Sequence, residues 1–229
     1  MIGQDTFANI QTLDATPVKD LGKDVGTLRY YKIIEDIDFS TIEKGAPYQP
    51  AYLSVNSADI DLNGKTIYNL DIFLVSSKSY LNIYNGKINC IENGALAFCY
   101  PFASNPELIK IKDITLYGKV NGGNTVIGLT SNTKNLIIEN VTSYVNIEVE
   151  NTEGLVGGLI SNLSSSTKTT LTNCKVYGDI TTKGSSASGL INGTNLNMDN
   201  ITIKNCYYYG KLTTAEGGSK YDIAPNYNK

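Results

Sequence analysis

The sequence contains no histidine and no tryptophan, and its single arginine is Arg29. Without histidine, a Ser-His-Asp or Cys-His catalytic system cannot form, and neither can a zinc site that needs His. One arginine and a net charge of −3 leave no basic surface for the phosphates of nucleic acids or for an anionic membrane. No apolar run reaches the roughly 18 residues of a membrane-spanning helix. We therefore expect no nucleic-acid partner and no membrane insertion.

The cysteines are few and far apart. They are Cys90, Cys99, Cys174 and Cys206, and no two of them form a Cys-x-x-Cys pair. This spacing predicts buried free thiols rather than metal ligands, so we expect no metal and no cofactor. Residues 1–5 lack the basic and apolar regions of a secretory signal, which predicts either synthesis in the cytoplasm without a signal peptide or a leader that has been removed.

The composition changes near residue 55. Only one of the 25 asparagines lies in the first 55 residues. Asparagine favours tight turns because it tolerates the left-handed backbone conformation, so the later part is predicted to be a succession of short strands and turns. Before it, Phe7, Ile10 and Leu13 recur at helical spacing and predict a short amphipathic helix.

An internal repeat dominates the later part. Four segments align without gaps: IKDITLYGKV from Ile111, IENVTSYVNI from Ile138, LTNCKVYGDI from Leu171 and IKNCYYYGKL from Ile203. Their tyrosines are Tyr117, Tyr144, Tyr177 and Tyr209, which are 27, 33 and 32 residues apart. Such periods indicate solenoids or propellers. Within each copy, apolar and polar residues alternate with the period of two that is typical of half-buried strands.

These repeats predict an all-β fold, a right-handed parallel β-helix (solenoid) of about seven coils with a short N-terminal capping helix. The coils are anchored at Phe39, Gly64, Gly86, Gly118, Val145, Gly178 and Gly210. We assign residues 1–29 to a cap or attachment segment, 30–214 to the β-helix and 215–229 to a C-terminal tail. Equivalent residues should stack, so Cys174 and Cys206 should lie inside adjacent coils. A β-propeller is the second fold considered, but its blades of about 40–45 residues fit the spacing less well.

Two sequence elements resemble a known family. LVGGLISN from Leu155 and GLINGT from Gly189 each precede an aligned segment, and together they resemble the GLUG motif. YYKIIEDIDFS from Tyr30 and ADIDLNGKTI from Ala58 resemble the entry into such β-helices. The copy at Ile138 departs from the pattern, because it lacks the cysteine and the glycine after Tyr144. GLUG repeats occur in bacterial surface adhesins, in non-catalytic parts of surface proteases and in phage-like tail proteins. The resemblance therefore implies an architecture and an exterior role, not a reaction.

The leading functional hypothesis is a non-enzymatic structural or receptor-binding component of a phage or phage-like contractile tail particle. It would be a tail fibre or a baseplate-attached protein, with a cell-surface glycan as a candidate ligand. We expect a homotrimer, or docking onto the larger tail or baseplate assembly, and a location in the particle or on an extracellular surface. The alternatives are a bacterial surface adhesin fragment and a β-helix polysaccharide lyase or hydrolase.

For the enzymatic alternative, the acidic candidates are Asp36 with Asp38 and Asp59 with Asp61. Each pair flanks an apolar residue, so both carboxylates should lie on one face of a strand. They could hold calcium or act as acid and base if neighbouring coils brought them together. We favour the interpretation that they form a solvated strand face, and we predict no catalytic residues.

The candidate binding site is a stripe of tyrosines. Asp113, Asn140, Asn173 and Asn205 should share one corner of the coil. Tyrosine occupies the fourth place after this corner in every strong repeat, which is a place that alternation directs outward. We therefore predict that Tyr117, Tyr144, Tyr177 and Tyr209 stack on the surface, with Tyr207 beside the last. Tyrosine suits saccharides and protein partners, since it offers a flat apolar face and a hydroxyl. The alternative is a self-stacking ladder that stiffens the sheet or is covered by a neighbouring chain.

Overall fold

The computed structural model describes residues 16–20, 27–41, 51–70, 73–90, 99–101, 107–121, 133–150, 155–161 and 163–227. These residues form strands and two short 3-10 turns, Phe39–Thr41 and Met198–Asn200. The strands are β1 Thr16–Asp20, β2 Thr27–Lys32, β3 Ile37–Asp38, β4 Ala51–Asp61, β5 Thr66–Leu70, β6 Phe73–Cys90, β7 Cys99–Pro101, β8 Leu108–Asn121, β9 Asn135–Glu139, β10 Thr142–Ser143, β11 Asn146–Val149, β12 Leu155–Gly157, β13 Lys168–Thr172, β14 Lys175–Val176, β15 Ile180–Thr182, β16 Ser186–Ser188, β17 Ile201–Lys204, β18 Tyr207–Tyr208, β19 Leu212–Thr213 and β20 Ser219–Tyr221.

From β2 onward, each strand pairs in parallel with a strand of a neighbouring coil. In the C-terminal half, β13, β14, β15 and β16 pair with β17, β18, β19 and β20 in turn. The strands make one large sheet that follows the coil and a three-stranded sheet, β12-β16-β20, on a further side. This topology is a parallel β-solenoid, so the predicted fold class is confirmed.

The solenoid has about five turns rather than the predicted seven. The prediction counted every anchor residue as a full coil. The coils that contain Gly64, Gly86, Gly118, Val145 and Gly178 have parallel partners on both sides. The coils of Phe39 and Gly210 stand at the two ends, with a parallel coil on one side only among the described residues. At the first end, β1 pairs antiparallel with β2.

Stacked apolar side chains fill the interior. One row runs through Ile83, Ile111, Ile138 and Leu171, which are Cα partners in successive coils and fully buried. A buried side chain of this size contributes about 1.5–3 kcal/mol, so each row holds neighbouring coils together. The alternation of apolar and polar residues in the sequence thus places apolar side chains inside the coils and polar side chains outside them.

The cysteines follow the same register. Cys174 and Cys206 are buried free thiols, and the backbone N–H of Cys174 donates to Cys206 Sγ at 3.3 Å. The prediction that they stack inside adjacent coils without a disulfide is confirmed. The side chains of Cys90 and Cys99 lie outside the described residues, as does the predicted helix at Phe7–Leu13.

At the corner of each of these coils, one residue adopts the left-handed backbone conformation. Asp113, Asn140, Asn173 and Asn205 have φ of 53°, 53°, 54° and 52°, which confirms the shared corner. Their side chains also bond one another between coils. Asn140 Nδ2 donates to Asp113 Oδ1 at 2.7 Å, Asn173 Nδ2 to Asn140 Oδ1 at 3.0 Å, and Asn205 Nδ2 to Asn173 Oδ1 at 3.2 Å.

Strand pairing continues across the predicted segment boundaries. β2 begins before residue 30, and β20 lies after residue 214 yet pairs with β16. The boundaries 1–29, 30–214 and 215–229 stay predictions. Within the described part of the chain, no helix is long and apolar enough to cross a membrane.

Candidate functional site

Tyr144, Tyr177 and Tyr209 lie between the second and third strands of their coils, and Tyr117 occupies the equivalent place within the long strand β8. Tyr177, for example, follows β14, while Val176 before it and Gly178 after it face the interior and are buried. A Cβ on Gly178 would overlap the carbonyl oxygen of Val145 in the coil before. A residue without a side chain therefore lets the two coils approach at this place, and the tyrosine beside it is left on the outside.

The four tyrosines form a continuous ladder, which we call the tyrosine ladder: Tyr117, Tyr144, Tyr177 and Tyr209. Successive ring centroids are 5.4, 5.0 and 4.9 Å apart, with interplanar angles of 9°, 10° and 15°. The side chains are 38%, 45%, 39% and 56% exposed. Tyr207 is 49% exposed and stacks on Tyr209 at 6.0 Å. The predicted outward orientation and stacking are thus confirmed, and the binding role stays a prediction.

The rings are arranged as a staircase. Parallel rings in contact lie about 3.5–4 Å apart, so centroids separated by 5 Å require a sideways offset of about 3 Å between neighbours. Each ring therefore covers only part of the next. The ladder presents hydroxyls, ring edges and a strip of every ring face.

Polar rows flank the ladder on both sides. On one side, Thr115, Thr142, Lys175 and Tyr207 are partners in register. On the other side, the row consists of Lys119, Asn146, Asp179 and Lys211. Asn146 Oδ1 accepts the Asp179 N–H at 2.9 Å, and Asp179 Oδ1 accepts the Lys211 N–H at 2.8 Å. The flanks therefore supply hydroxyl, ammonium, amide and carboxylate groups beside the aromatic strip.

The acidic pairs serve the turns around them. Asp36 Oδ1 accepts the Thr66 N–H at 2.8 Å, and Asp61 Oδ1 accepts the Asn63 N–H at 2.7 Å. Hydrogen bonds from Asn69 and Ser40 lower the pKa of Asp38. Among the described residues, no three His, Cys, Asp or Glu side chains lie together as metal ligands would.

A polar cluster that sequence reasoning missed lies on the outer face of β2, β4 and β6. Asn82 Nδ2 donates to Asp59 Oδ2 at 3.2 Å, and Tyr30 donates to Asp61 Oδ2 at 3.3 Å. The remaining oxygens, Asp59 Oδ1 and Asn82 Oδ1, are buried without a hydrogen-bond partner.

Burial, and after it the charge of Asp59, raises the pKa of both Tyr80 and Tyr84 near this cluster. The raised pKa values extend to higher pH the range in which both phenols stay protonated. In the sequence, the sign of this cluster is an outward-facing polar residue in each of β2, β4 and β6. These residues can be related to one another only when the three strands are aligned.

Comparison with known proteins supports the fold. No known protein family matches the sequence, and no curated protein matches it either. A solved structure described as a "putative immunoglobulin A1 protease from Bacteroides ovatus" is similar, with a TM-score of 0.53 and 13% identity. The similarity covers 97% of this chain and 82% of that one. At this identity the likeness concerns the β-solenoid fold alone, and the GLUG motif itself finds no support in it.

Proposed function

We propose that this chain is a non-enzymatic recognition component of an exterior assembly, and that it attaches to a cell surface through the tyrosine ladder. The observation that supports the proposal is the presence of four exposed, stacked tyrosines at one position in four successive coils. Contiguous exposed apolar surface is typical of interaction sites. A row that runs along the solenoid also gives an attachment surface that lengthens with every coil.

The proposed setting is a phage or phage-like contractile tail particle, in which the chain is a tail fibre or a baseplate-attached protein. It would act as a homotrimer or docked on the larger assembly. The support for this setting is the parallel β-solenoid fold. A sequence without histidine supports the non-enzymatic role. The alternative setting is a bacterial surface adhesin fragment, which would use the same ladder. The assignment to either setting is an analogy between folds.

Attachment to cells tests the proposal. The purified protein, coated on beads, is exposed to a panel of bacterial cells, and bound cells are counted for the wild type and for Tyr144→Ser/Tyr177→Ser. We expect the variant to bind about tenfold fewer cells, as for the loss of a central aromatic hot spot. Tyr221→Ser is the matched control, since Tyr221 is half-buried on β20, in the three-stranded sheet that does not contain the ladder. Unchanged attachment by a folded ladder variant would overturn the proposal.

A hydrolytic activity is the second candidate function, favoured by the buried, unpartnered Asp59 and Asn82 oxygens and by the description of the similar structure as a protease. Its test is incubation with surface glycans and with immunoglobulin A1, followed by assays for new reducing ends, unsaturated sugars and peptide fragments. Cleavage that Asp59→Asn abolishes would replace the non-enzymatic proposal.

A further inference from the structure

We propose that the tyrosine ladder binds an extended, β-linked hexose chain that lies along the solenoid axis, with about one sugar per coil. This inference rests on the proposed function, because it names the ligand of the same surface. The alternative occupant, a protein, is an outcome of the test below.

The repeat distance of the ladder is the first argument. Ring centroids recur every 5.4, 5.0 and 4.9 Å, as the spacing of parallel strands imposes. In a fully extended β-linked hexose chain such as cellulose, the advance per sugar is close to this strand spacing. Each sugar can therefore lie against one rung of the ladder, with alternate sugars turned over. An α-linked chain such as amylose coils, so its sugars leave the line of the ladder.

The staircase of rings is the second argument. A flat strip of each ring face is left uncovered by its neighbour, and the C–H groups of a pyranose ring pack against such aromatic surface. The strip is about one residue wide and follows the axis. This shape suits a thin linear polymer better than a protein, whose interface buries its aromatic anchors at the centre of a broad patch.

The chemistry of the flanks is the third argument. Thr142 and Lys175 lie on one side of the ladder, and Asp179 and Lys211 lie on the other. Sugar hydroxyls donate and accept hydrogen bonds, so they can pair with all of these groups. Cationic and anionic side chains both occur beside the ladder, and the chain has a net charge of −3. This mixture favours neutral hexoses over a strongly anionic polymer.

Titration calorimetry with defined oligosaccharides tests the inference on the unmodified protein. We expect the affinity to rise from cellobiose to cellotetraose and to level off by cellohexaose, because the ladder has four rungs. Maltohexaose, which has the same sugar and length but α-linkages, should bind at least about tenfold more weakly, since it cannot follow the line. Equal affinity for the two hexamers, or no change with length, would overturn the inference.

Variants assign the binding to the ladder. Tyr144→Ser/Tyr177→Ser should lose cellohexaose binding, and Tyr144→Phe/Tyr177→Phe should retain most of it because the rings remain. The control Tyr221→Ser, on the separate sheet β12-β16-β20, should match the wild type. If attachment to cells depends on the ladder but no oligosaccharide binds, the ligand is a protein and the inference falls while the proposed function stands. If attachment does not depend on the ladder, the proposed function falls.

Discussion

Single residues set both the shape and the surface of this solenoid. The corner asparagines do two things at once: they adopt a left-handed backbone that most residues avoid, and their amides bond the corner of the next coil. The alternation that follows each corner then decides which side chains are buried. The left-handed corner and the alternation could both be predicted from the spacing of asparagine and tyrosine, because each depends on local sequence alone.

Substitution of Asn173 separates these two contributions. Asn173→Gly keeps the left-handed conformation and removes two hydrogen bonds, so we expect a loss of about 1–2 kcal/mol in the free energy of unfolding. Asn173→Ala adds backbone strain and should lose about 1–2 kcal/mol more. Urea denaturation measures both. Equal stability of the two variants would show that the backbone conformation does not matter at this corner.

Tyr208 is the inward-facing tyrosine of the last coil, and its buried hydroxyl has no hydrogen-bond partner. Tyr208→Phe removes this unsatisfied group, so the free energy of unfolding should rise by about 1 kcal/mol at neutral pH. Tyr221→Phe, on the neighbouring strand β20, is the control. A clear loss of stability in Tyr208→Phe would mean that the hydroxyl is paired in solution.

The same variant has a pH signature. Burial, and after it the charges of Asp179 and Asp222, raises the pKa of Tyr208. The tyrosine therefore ionises first in the unfolded state, where its pKa is about 10. The free energy of unfolding is unaffected by this ionisation below that pH and falls as the pH rises above it. We expect denaturation curves collected between pH 9 and 11 to show a smaller decline for Tyr208→Phe than for the wild type. Parallel declines would contradict the raised pKa.

At the scale of elements, each strand is stabilised mainly by its counterpart one coil away. Where that counterpart lies 20 to 33 residues along the chain, a local pattern predicts the strand but not its partner. The cluster of Asp59, Asn82 and Tyr30 escaped prediction for this reason, since its members come from three strands. The antiparallel pairing of β1 with β2 escaped for a different reason: it is local, but nothing in Thr16–Asp20 indicates its direction.

The stacked cysteines test how an interior coil differs from a terminal one. Cys174 has coils on both sides and is fully buried, whereas Cys206 belongs to the last coil and is slightly exposed. Cys174→Ala should therefore leave a cavity and cost about 1 kcal/mol or more, while Cys206→Ala should cost less. Urea denaturation of the two single variants gives the comparison. A larger loss for Cys206→Ala would mean that the end of the solenoid is packed as tightly as its middle.

For the whole molecule, the order of coils converts a short sequence motif into a long surface. One tyrosine per repeat is unremarkable in the sequence, but parallel stacking places four of them in one line with polar groups along both sides. The repeat predicted this line because its copies are in register. The number of turns was overestimated because an anchor residue in the sequence does not reveal whether its coil is flanked on both sides.

Chemical footprinting tests the central claim, that the ladder is the recognition surface, most directly. The protein is treated with a tyrosine-nitrating reagent in the presence and absence of the cells that bind it, and modification is quantified by mass spectrometry. The account predicts that Tyr117, Tyr144, Tyr177 and Tyr209 are modified in the free protein and become protected on binding, while Tyr221, on the separate sheet β12-β16-β20, is modified equally in both states. Ladder tyrosines that are modified as fast in the bound protein as in the free one would contradict it.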